Sequence, residues 1–514
     1  MSATKRMVSI LLCLVLLLST FYVAKTGAMP GTEMDLSHDD KDSLVIWYTD
    51  DSLTDYVSAA CVSFNEKYGI RVVPRLQIGD EYLEQINRAS INDDGAPDLY
   101  LITNDMLERA YLSGLAYKIQ DNNGMVSSRY FSEAALESVT YKDKLVAYPL
   151  YFETSALIYN KTYLEDMARN QVMAEMSAEP GEEIITADTE GLTDEERAYY
   201  ALSEEDRVAY RIEQAIPKTF DELMEFANTC DAPPNVETIF KWDVKDIFYN
   251  YFFVGNYVDV GGASGDSKDK IDIYNMDAIS ALQVYQDMNQ FFSFEYEDVT
   301  YESVLNEFME GKLVFTTATS DAISKIEEAK EDGLFEYEFG SAPIPDLNDI
   351  LKSRSMSVTN TVAINGYSDK KETANEFARY LTIDYASRLY EMTGRLASAT
   401  NVKYADEAFT AFVDEYANSV PVPKLMAASN YWLLAEITFA NVWAGKSVSK
   451  EMQSLSEQIK LQVTGLDVTE EYIEMPSISD EETEYYDEEA LKQEAQDEDK
   501  ENDDSDSDQS SEDD

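Results

Sequence analysis

Residues 144–153 read Lys144-Leu145-Val146-Ala147-Tyr148-Pro149-Leu150-Tyr151-Phe152-Glu153, and the run closes with Leu157-Ile158-Tyr159-Asn160-Lys161. The stretch is apolar and aromatic and nearly free of charge, which predicts a buried strand over Lys144–Phe152. Upstream, Leu44-Val45-Ile46-Trp47-Tyr48 is a shorter run of the same kind. Leu53, Tyr56, Val57, Ala60, Cys61 and Phe64 then recur at helical spacing, and Gly69 stands where such a helix stops. Ile70–Val73 predicts a second strand, Tyr82, Leu83, Ile86 and Ala89 a second helix, and Asp98–Ile102 a third strand after the turn signal Asp94-Gly95-Ala96-Pro97. Strand and helix alternate, so the fold class is α/β with a parallel sheet covered on both faces. Downstream, helical patterns recur at 276–292, 301–311, 370–382, 384–393, 405–417, 428–445 and 449–461.

The chain has 514 residues, enough for two or more domains. Its 44% apolar and 12% aromatic content supports a substantial core. With 40 basic and 100 acidic residues the formal net charge is −60, which argues against nucleic acid as a partner, because that binding rests on Lys and Arg neutralising phosphates. One histidine (His38) and three cysteines leave little for zinc, haem or iron–sulfur sites, and no metal site or cofactor is expected. Carboxylate pairs are too numerous for spacing to single out a general acid and base. No Gly-x-Ser-x-Gly, phosphate loop, His-Glu-x-x-His or Cys-x-x-Cys is present. These absences make an extracellular glycoside hydrolase the weakest reading of the chain.

Residues 1–28 read as a secretory signal or membrane anchor: Lys5 and Arg6, then an apolar run over Val8–Ala24, then Thr26-Gly27-Ala28 as a cleavage site. Residues 29–42 are a polar linker. Beyond the leader only Cys61 and Cys230 remain, which reads as two buried thiols and no disulfide framework. Residues 162–216 are rich in Glu, Asp, Ala and Thr and predict a surface insertion with helices near 194–201 and 204–214. Thr219-Phe220-Asp221-Glu222 predicts a capping box, and Gly261–Gly265 a turn. The tail 477–514, with 19 acidic and two basic residues, predicts disorder, and Asp503–Asp508 only superficially follows a calcium-loop spacing. The tail accounts for less than a third of the acidic excess, so the body itself is acidic. Trp47, Trp242, Trp432 and Trp443 are the only tryptophans. Tyr431-Trp432 opens a helix directly after the stiff segment Val420-Pro421-Val422-Pro423, a place where an aromatic face can meet a sugar ring.

Taken in order, several segments resemble the extracytoplasmic solute-binding proteins of ABC importers, in the maltose-binding-protein-like branch. The segment 144–161 is similar to that family's "G-K-x-Y-x-P…E…L-x-Y-N-K" strand pair. Leu44–Tyr48, Ala96-Pro97-Asp98-Leu99, Pro217–Leu223, Phe308–Lys312, Val362-Ala363-Ile364-Asn365, Ala374–Leu381 and Pro423–Gly445 follow in the family's order, covering about 43–466. The resemblance implies a two-lobed periplasmic-binding-protein-like fold with a hinge and an inter-lobe cleft. Lobe 1 would comprise 43–150 and the return segment 343–393. Lobe 2 would comprise 151–342, with the insertion, and the C-terminal helices in 394–466.

The resemblance further implies capture of a small solute outside the cytoplasmic membrane, most simply a sugar or oligosaccharide, and its delivery to the permease subunits of an ABC transporter. The membrane would be engaged only through the N-terminal segment. A sensor or adhesin without transport is the alternative. Carried over position by position, the ligand-binding candidates are Asp50 and Asp51 after the first strand, Asn104 and Asp105 after the third, Glu153 on the crossing strand, Trp242 (with Asp243) in a second-lobe loop, Asp321 after Phe315-Thr316-Thr317, and Tyr431 and Trp432. Where maltose binders stack tryptophans this chain has Ile102 and Asp321, and Ser52 replaces a lysine. Lost stacking area and gained acidity argue for a smaller or differently shaped neutral sugar, or else for a cationic ligand.

Overall fold

The computed structural model describes residues 43–474 apart from 80, 93–94, 122–123, 178–183, 190 and 293–298. The leader, the linker and the acidic tail lie outside the described residues. Fourteen strands are found among those described: β1 (Leu44–Tyr48), β2 (Val72–Leu76), β3 (Leu99–Thr103), β4 (Thr140–Tyr141), β5 (Lys144–Leu145), β6 (Tyr148–Asn160), β7 (Thr238–Phe240), β8 (Asp259–Val260), β9 (Ile271–Asp272), β10 (Leu313–Thr319), β11 (Phe339–Ala342), β12 (Met356–Ile364), β13 (Leu396–Ala397) and β14 (Val420–Pro421). The predicted Lys144–Phe152 strand is in fact two. It breaks at Val146-Ala147, and β6 then runs on for 13 residues.

The main sheet has the order β2-β1-β3-β12-β6-β10-β7. β1 lies parallel to β2 and β3, as the strand–helix alternation requires, while β12 runs antiparallel to both β3 and β6. The fold therefore has two half-sheets joined by one strand. The first half of β6 pairs with β12, from Val362 opposite Tyr148 to Ser357 opposite Thr154. Its second half pairs with β10, from Thr319 opposite Ser155 to Phe315 opposite Tyr159, and also with β11. Pro149 sits in the middle of this sheet without an N–H to give to the ladder. The β6–β12 register shifts between Asn360 and Thr361, so that Leu150 is passed over, and its carbonyl instead accepts from Ser398 N at 3.0 Å.

Helices cover both faces for reasons visible in their sequences. Thr54–Tyr68 buries Tyr56, Val57, Ala60, Cys61 and Phe64 and ends at Gly69, which has φ +71°. Thr219 caps the helix Phe220–Thr229, but the expected box is only half formed, because Glu222 accepts from Lys218 N and not from Thr219 N. The segment 162–216 is less of a surface insertion than its composition predicts. The helix Lys161–Glu175 buries Tyr163, Leu164, Ala168 and Val172, and the polar helix Glu204–Ala215 adds Val208 to a small core beside it. Cys61 is buried, which pushes its thiol up to about 12, and Cys230 is half-buried; both are free.

A second tie involves Lys424, whose side chain is fully enclosed. Its Nζ donates to the carbonyls of Glu137 (2.9 Å) and Ser264 (2.6 Å). Its backbone N donates to Gly265 O at 2.7 Å. Burial pushes the amine down to about 7, against the pull of Asp266, Glu137 and Asp105. The turn Gly261–Gly265 is as predicted, and Gly265 (φ +61°) passes so close to Pro423 that a Cβ would lie 2.7 Å from its Cα. Next to it Asp266 accepts from Lys142 N (2.5 Å), and Asp266 O accepts from Lys142 Nζ (2.8 Å). The β8–β9 hairpin is thus fastened to the β4–β5 hairpin and to the helix Glu133–Ser138.

Candidate functional site

Alternation along β6 sends successive side chains to opposite faces. Phe152 stacks on Tyr416 with centroids 3.9 Å apart and rings 2° from parallel, and Thr154 Oγ1 donates to Met356 O. Tyr151 and Glu153 point the other way. There Glu153 Oε1 accepts from Arg395 Nη1 at 3.0 Å, and the guanidinium carbon lies 5.6 Å from the Tyr151 ring centre. Arg395 Nη2 reaches Asp50 Oδ2 at 3.4 Å. Arg395 is held by its neighbours. Gly394 (φ +70°) ends the helix Leu389–Thr393, Arg395 N donates to Thr393 Oγ1, and β13 pairs Leu396 and Ala397 with Phe152 and Tyr151. Asp50 caps the short turn Asp51–Leu53 through Oδ1, which accepts from Ser52 N and Oγ, and so leaves Oδ2 for the arginine.

From the other half-sheet Asp321 begins the helix Asp321–Glu331 directly after β10. Its Oδ1 accepts from Tyr301 OH at 3.0 Å and from Thr319 Oγ1, and its Oδ2 is 3.1 Å from Lys325 Nζ. Burial works to raise its carboxyl, but the Thr319 hydroxyl, Lys325 and Tyr301 outweigh it and hold the group below the usual range. Glu153 goes the opposite way. Burial raises it, Arg395 pulls it down, and Asp321 and Asp50 push it up again, leaving it above its ordinary value. Tyr301 stacks on Tyr249 (4.8 Å, 12°). Asp246 and Glu436 are both raised, first by burial, then for Asp246 by Asp243 despite a hydrogen bond from Phe248 N, and for Glu436 by Asp246 and Asp243.

The sequence-derived candidates divide. Asp50 and Glu153 meet at Arg395, Asp321 pairs with Lys325 and pushes the Glu153 carboxyl up, and Asp51 and Asp105 are exposed at the ends of their strands. Trp432 is half-buried, edge-on to Tyr251 at 5.7 Å. Three expectations are corrected. Trp242 is entirely buried, stacked on Phe240 at 4.9 Å with Nε1 donating to Asn250 Oδ1, so it is a core residue. Tyr431 is 2% exposed and packs into the same core. Asn104 is fully buried, with Nδ2 donating to Val422 O and Oδ1 accepting from Thr359 N; it ties the β3 end to β12 and to the segment after β14 and presents no surface to a ligand. The residue that sequence reasoning missed is Arg395. It lies 242 positions from Glu153 and 345 from Asp50, and only the glycine before it hints at a fixed backbone.

Arg395 is 28% exposed and Glu153 36%, so this site opens to solvent. Two cavities lie elsewhere. One of about 540 Å³ is lined by Pro217, Ile344 and Glu415, and one of about 690 Å³ by Glu137, Asp259 and Arg354. The second touches Asn418, at the end of the helix that carries Tyr416, on the Phe152 side of β6.

The model of the bacterial extracellular solute-binding protein family matches residues 59–416. The chain belongs to that family. The solute-binding fold is two-lobed, and the protein works outside the cytoplasmic membrane. Solved structures agree on the fold. The extracellular solute-binding protein from Staphylococcus aureus in complex with maltose is 18% identical, with a TM-score of 0.65, covering 83% of this chain and 99% of that one. A cyclo/maltodextrin-binding protein complexed with maltotetraose is 18% identical, with a TM-score of 0.64 over 83% and 98%. The maltose-binding periplasmic protein from Listeria monocytogenes is 18% identical, with a TM-score of 0.62 over 84% and 100%. No curated protein matches the sequence. Among the described residues of this solute-binding protein, no helix is long and apolar enough to cross a membrane.

Proposed function

We propose that this solute-binding protein captures a neutral carbohydrate between its lobes and hands it to the permease of an ABC transporter, without catalysis and tethered, if at all, by its N-terminal segment. The observation that carries this reading is the Arg395–Glu153–Asp50 group. Carboxylates in a cleft require hydroxyl donors or a cation, and here the chain supplies the cation itself. What remains is an array of acceptors and planar donors with a tyrosine beneath it, which matches hydroxyls on a ring rather than a charged group. Trp432 would offer the stacking surface, and Asp51, Asp105 and Asp321 would complete the polar rim. The maltose and maltotetraose bound by the similar structures support a sugar of this general type.

Lobe closure would be a ligand-selected equilibrium about β6. Isothermal titration of the full chain against maltose, maltotriose, other neutral di- and trisaccharides, sugar acids and polyamines tests the reading. Binding of one neutral sugar class, weakened by Glu153→Gln and Trp432→Ala, supports it. Binding of polyamines alone overturns it in favour of a cationic ligand.

A further inference from the structure

We infer that Arg395 is a specificity-determining residue, the built-in counter-ion of Glu153 and Asp50, which closes this cleft to organic cations and presents a donor–acceptor pair to two adjacent hydroxyls. The hydroxyl half of this inference rests on the carbohydrate reading above, whereas the counter-ion half stands on geometry alone. Asp50 comes from the turn after β1 and Glu153 from β6, and the guanidinium reaches both at 3.4 and 3.0 Å. It is not a drifting surface side chain. Its backbone is fixed by Gly394, by the Thr393 hydroxyl and by the β13–β6 pairing, and its plane lies by Tyr151.

A guanidinium has five N–H groups in a rigid fork, and two are used by the carboxylates. The rest, next to carboxylate oxygens, form the alternation that a vicinal diol satisfies, one hydroxyl accepting from nitrogen and its neighbour donating to oxygen. An amine entering here has to displace a tethered cation, which has the advantage of being already in place. An anion meets three carboxylates, Glu153, Asp50 and Asp321, against two cations already paired with them, Arg395 and Lys325, so the local excess is negative. Both kinds of charged ligand are disfavoured, and the uncharged polyol remains.

The test uses the full chain and its Arg395→Met, Arg395→Lys and Arg395→Met/Glu153→Gln variants, with methylguanidinium and putrescine as cation probes and maltotriose as the neutral probe, by calorimetry at low salt. Circular dichroism establishes that each variant is folded. The expected result is that the parent binds neither cation at millimolar concentration, that R395M binds methylguanidinium at least tenfold more tightly than the parent, and that adding E153Q cancels the gain. Arg395→Lys should still exclude both cations, since the charge is kept, but lose tenfold or more for maltotriose, since the fork is gone.

Cation binding by R395M no tighter than by the parent overturns the inference, as does a gain that survives E153Q. If R395M does not fold, R395K carries the test, and retention of parental maltotriose affinity there overturns it. If the parent binds none of the neutral di- and trisaccharides of the isothermal titration while R395M gains methylguanidinium, the carbohydrate reading falls and the counter-ion assignment stands.

Discussion

Replacing Lys424 by methionine should change the pH dependence of stability in a calculable way. The amine is enclosed, and its pKa falls from 10.5 to about 7 on folding. Between these values the unfolded chain holds a proton that the native chain has released, so stability rises with pH across that window and is lowest, as far as this group is concerned, below pH 7. The slope contributed is at most ~1.4 kcal/mol per pH unit, and from pH 7.5 to 9.5 the difference between parent and variant should therefore shift by roughly 2 to 3 kcal/mol in favour of the parent. Methionine also leaves the Glu137 and Ser264 carbonyls without this donor, but that cost does not vary with pH and enters only as an offset. The carboxylates around the amine, Asp266, Glu137 and Asp105, are common to both proteins. Urea unfolding followed by tryptophan fluorescence at four pH values gives the two curves. Parallel curves, or a shift in favour of the variant as pH rises, would refute the reasoning.

Three further outcomes follow from packing. Phe152→Ala removes a fully buried ring stacked on Tyr416 and should cost about 3–5 kcal/mol, seen as a lower urea midpoint. Trp242→Ala should destabilise by a similar ~3–5 kcal/mol, whereas Trp432→Ala should leave the midpoint much less changed and weaken sugar affinity; equal effects of both on stability would contradict the division between core and cleft. Gly265→Val places a branched side chain where φ is +61° and Pro423 Cα would be 2.7 Å from its Cβ; strain of at least ~1–2 kcal/mol should appear as increased protease cleavage in 261–270.

The sequence made the fold legible wherever the hydrophobic period was strong. β1, the helix after it and β3 lie where Leu44–Tyr48, the spacing from Leu53 to Phe64 and the run from Asp98 put them, because each buries its own apolar face, whereas β2 (Val72–Leu76) begins two residues later than the expected Ile70–Val73. The helix Lys161–Glu175 was less legible because its composition is polar, and only four positions on one side reveal that it is buried. In the site, Asp50, Glu153 and Asp321 entered only through the resemblance, because among 100 acidic residues no spacing singles them out. Arg395 did not enter at all, because its meaning depends on two partners hundreds of residues away. Trp242 misled for a related reason: a tryptophan in a loop reads the same whether its ring faces a ligand or Asn250.

The position of β12 in the sheet has a consequence for how the molecule comes into being. This strand, Met356–Ile364, lies between β3 and β6, pairing Ile102 with Thr361 and Glu153 with Val358. A chain emerging from the ribosome carries β1, β2, β3 and β6 long before the strand that separates β3 from β6 exists. The first half-sheet has a gap at its centre until more than two-thirds of the polypeptide has been made. Contacts this distant in sequence are slow to form. The nascent protein is therefore held back from its native state for most of its synthesis by the order in which its own strands are written.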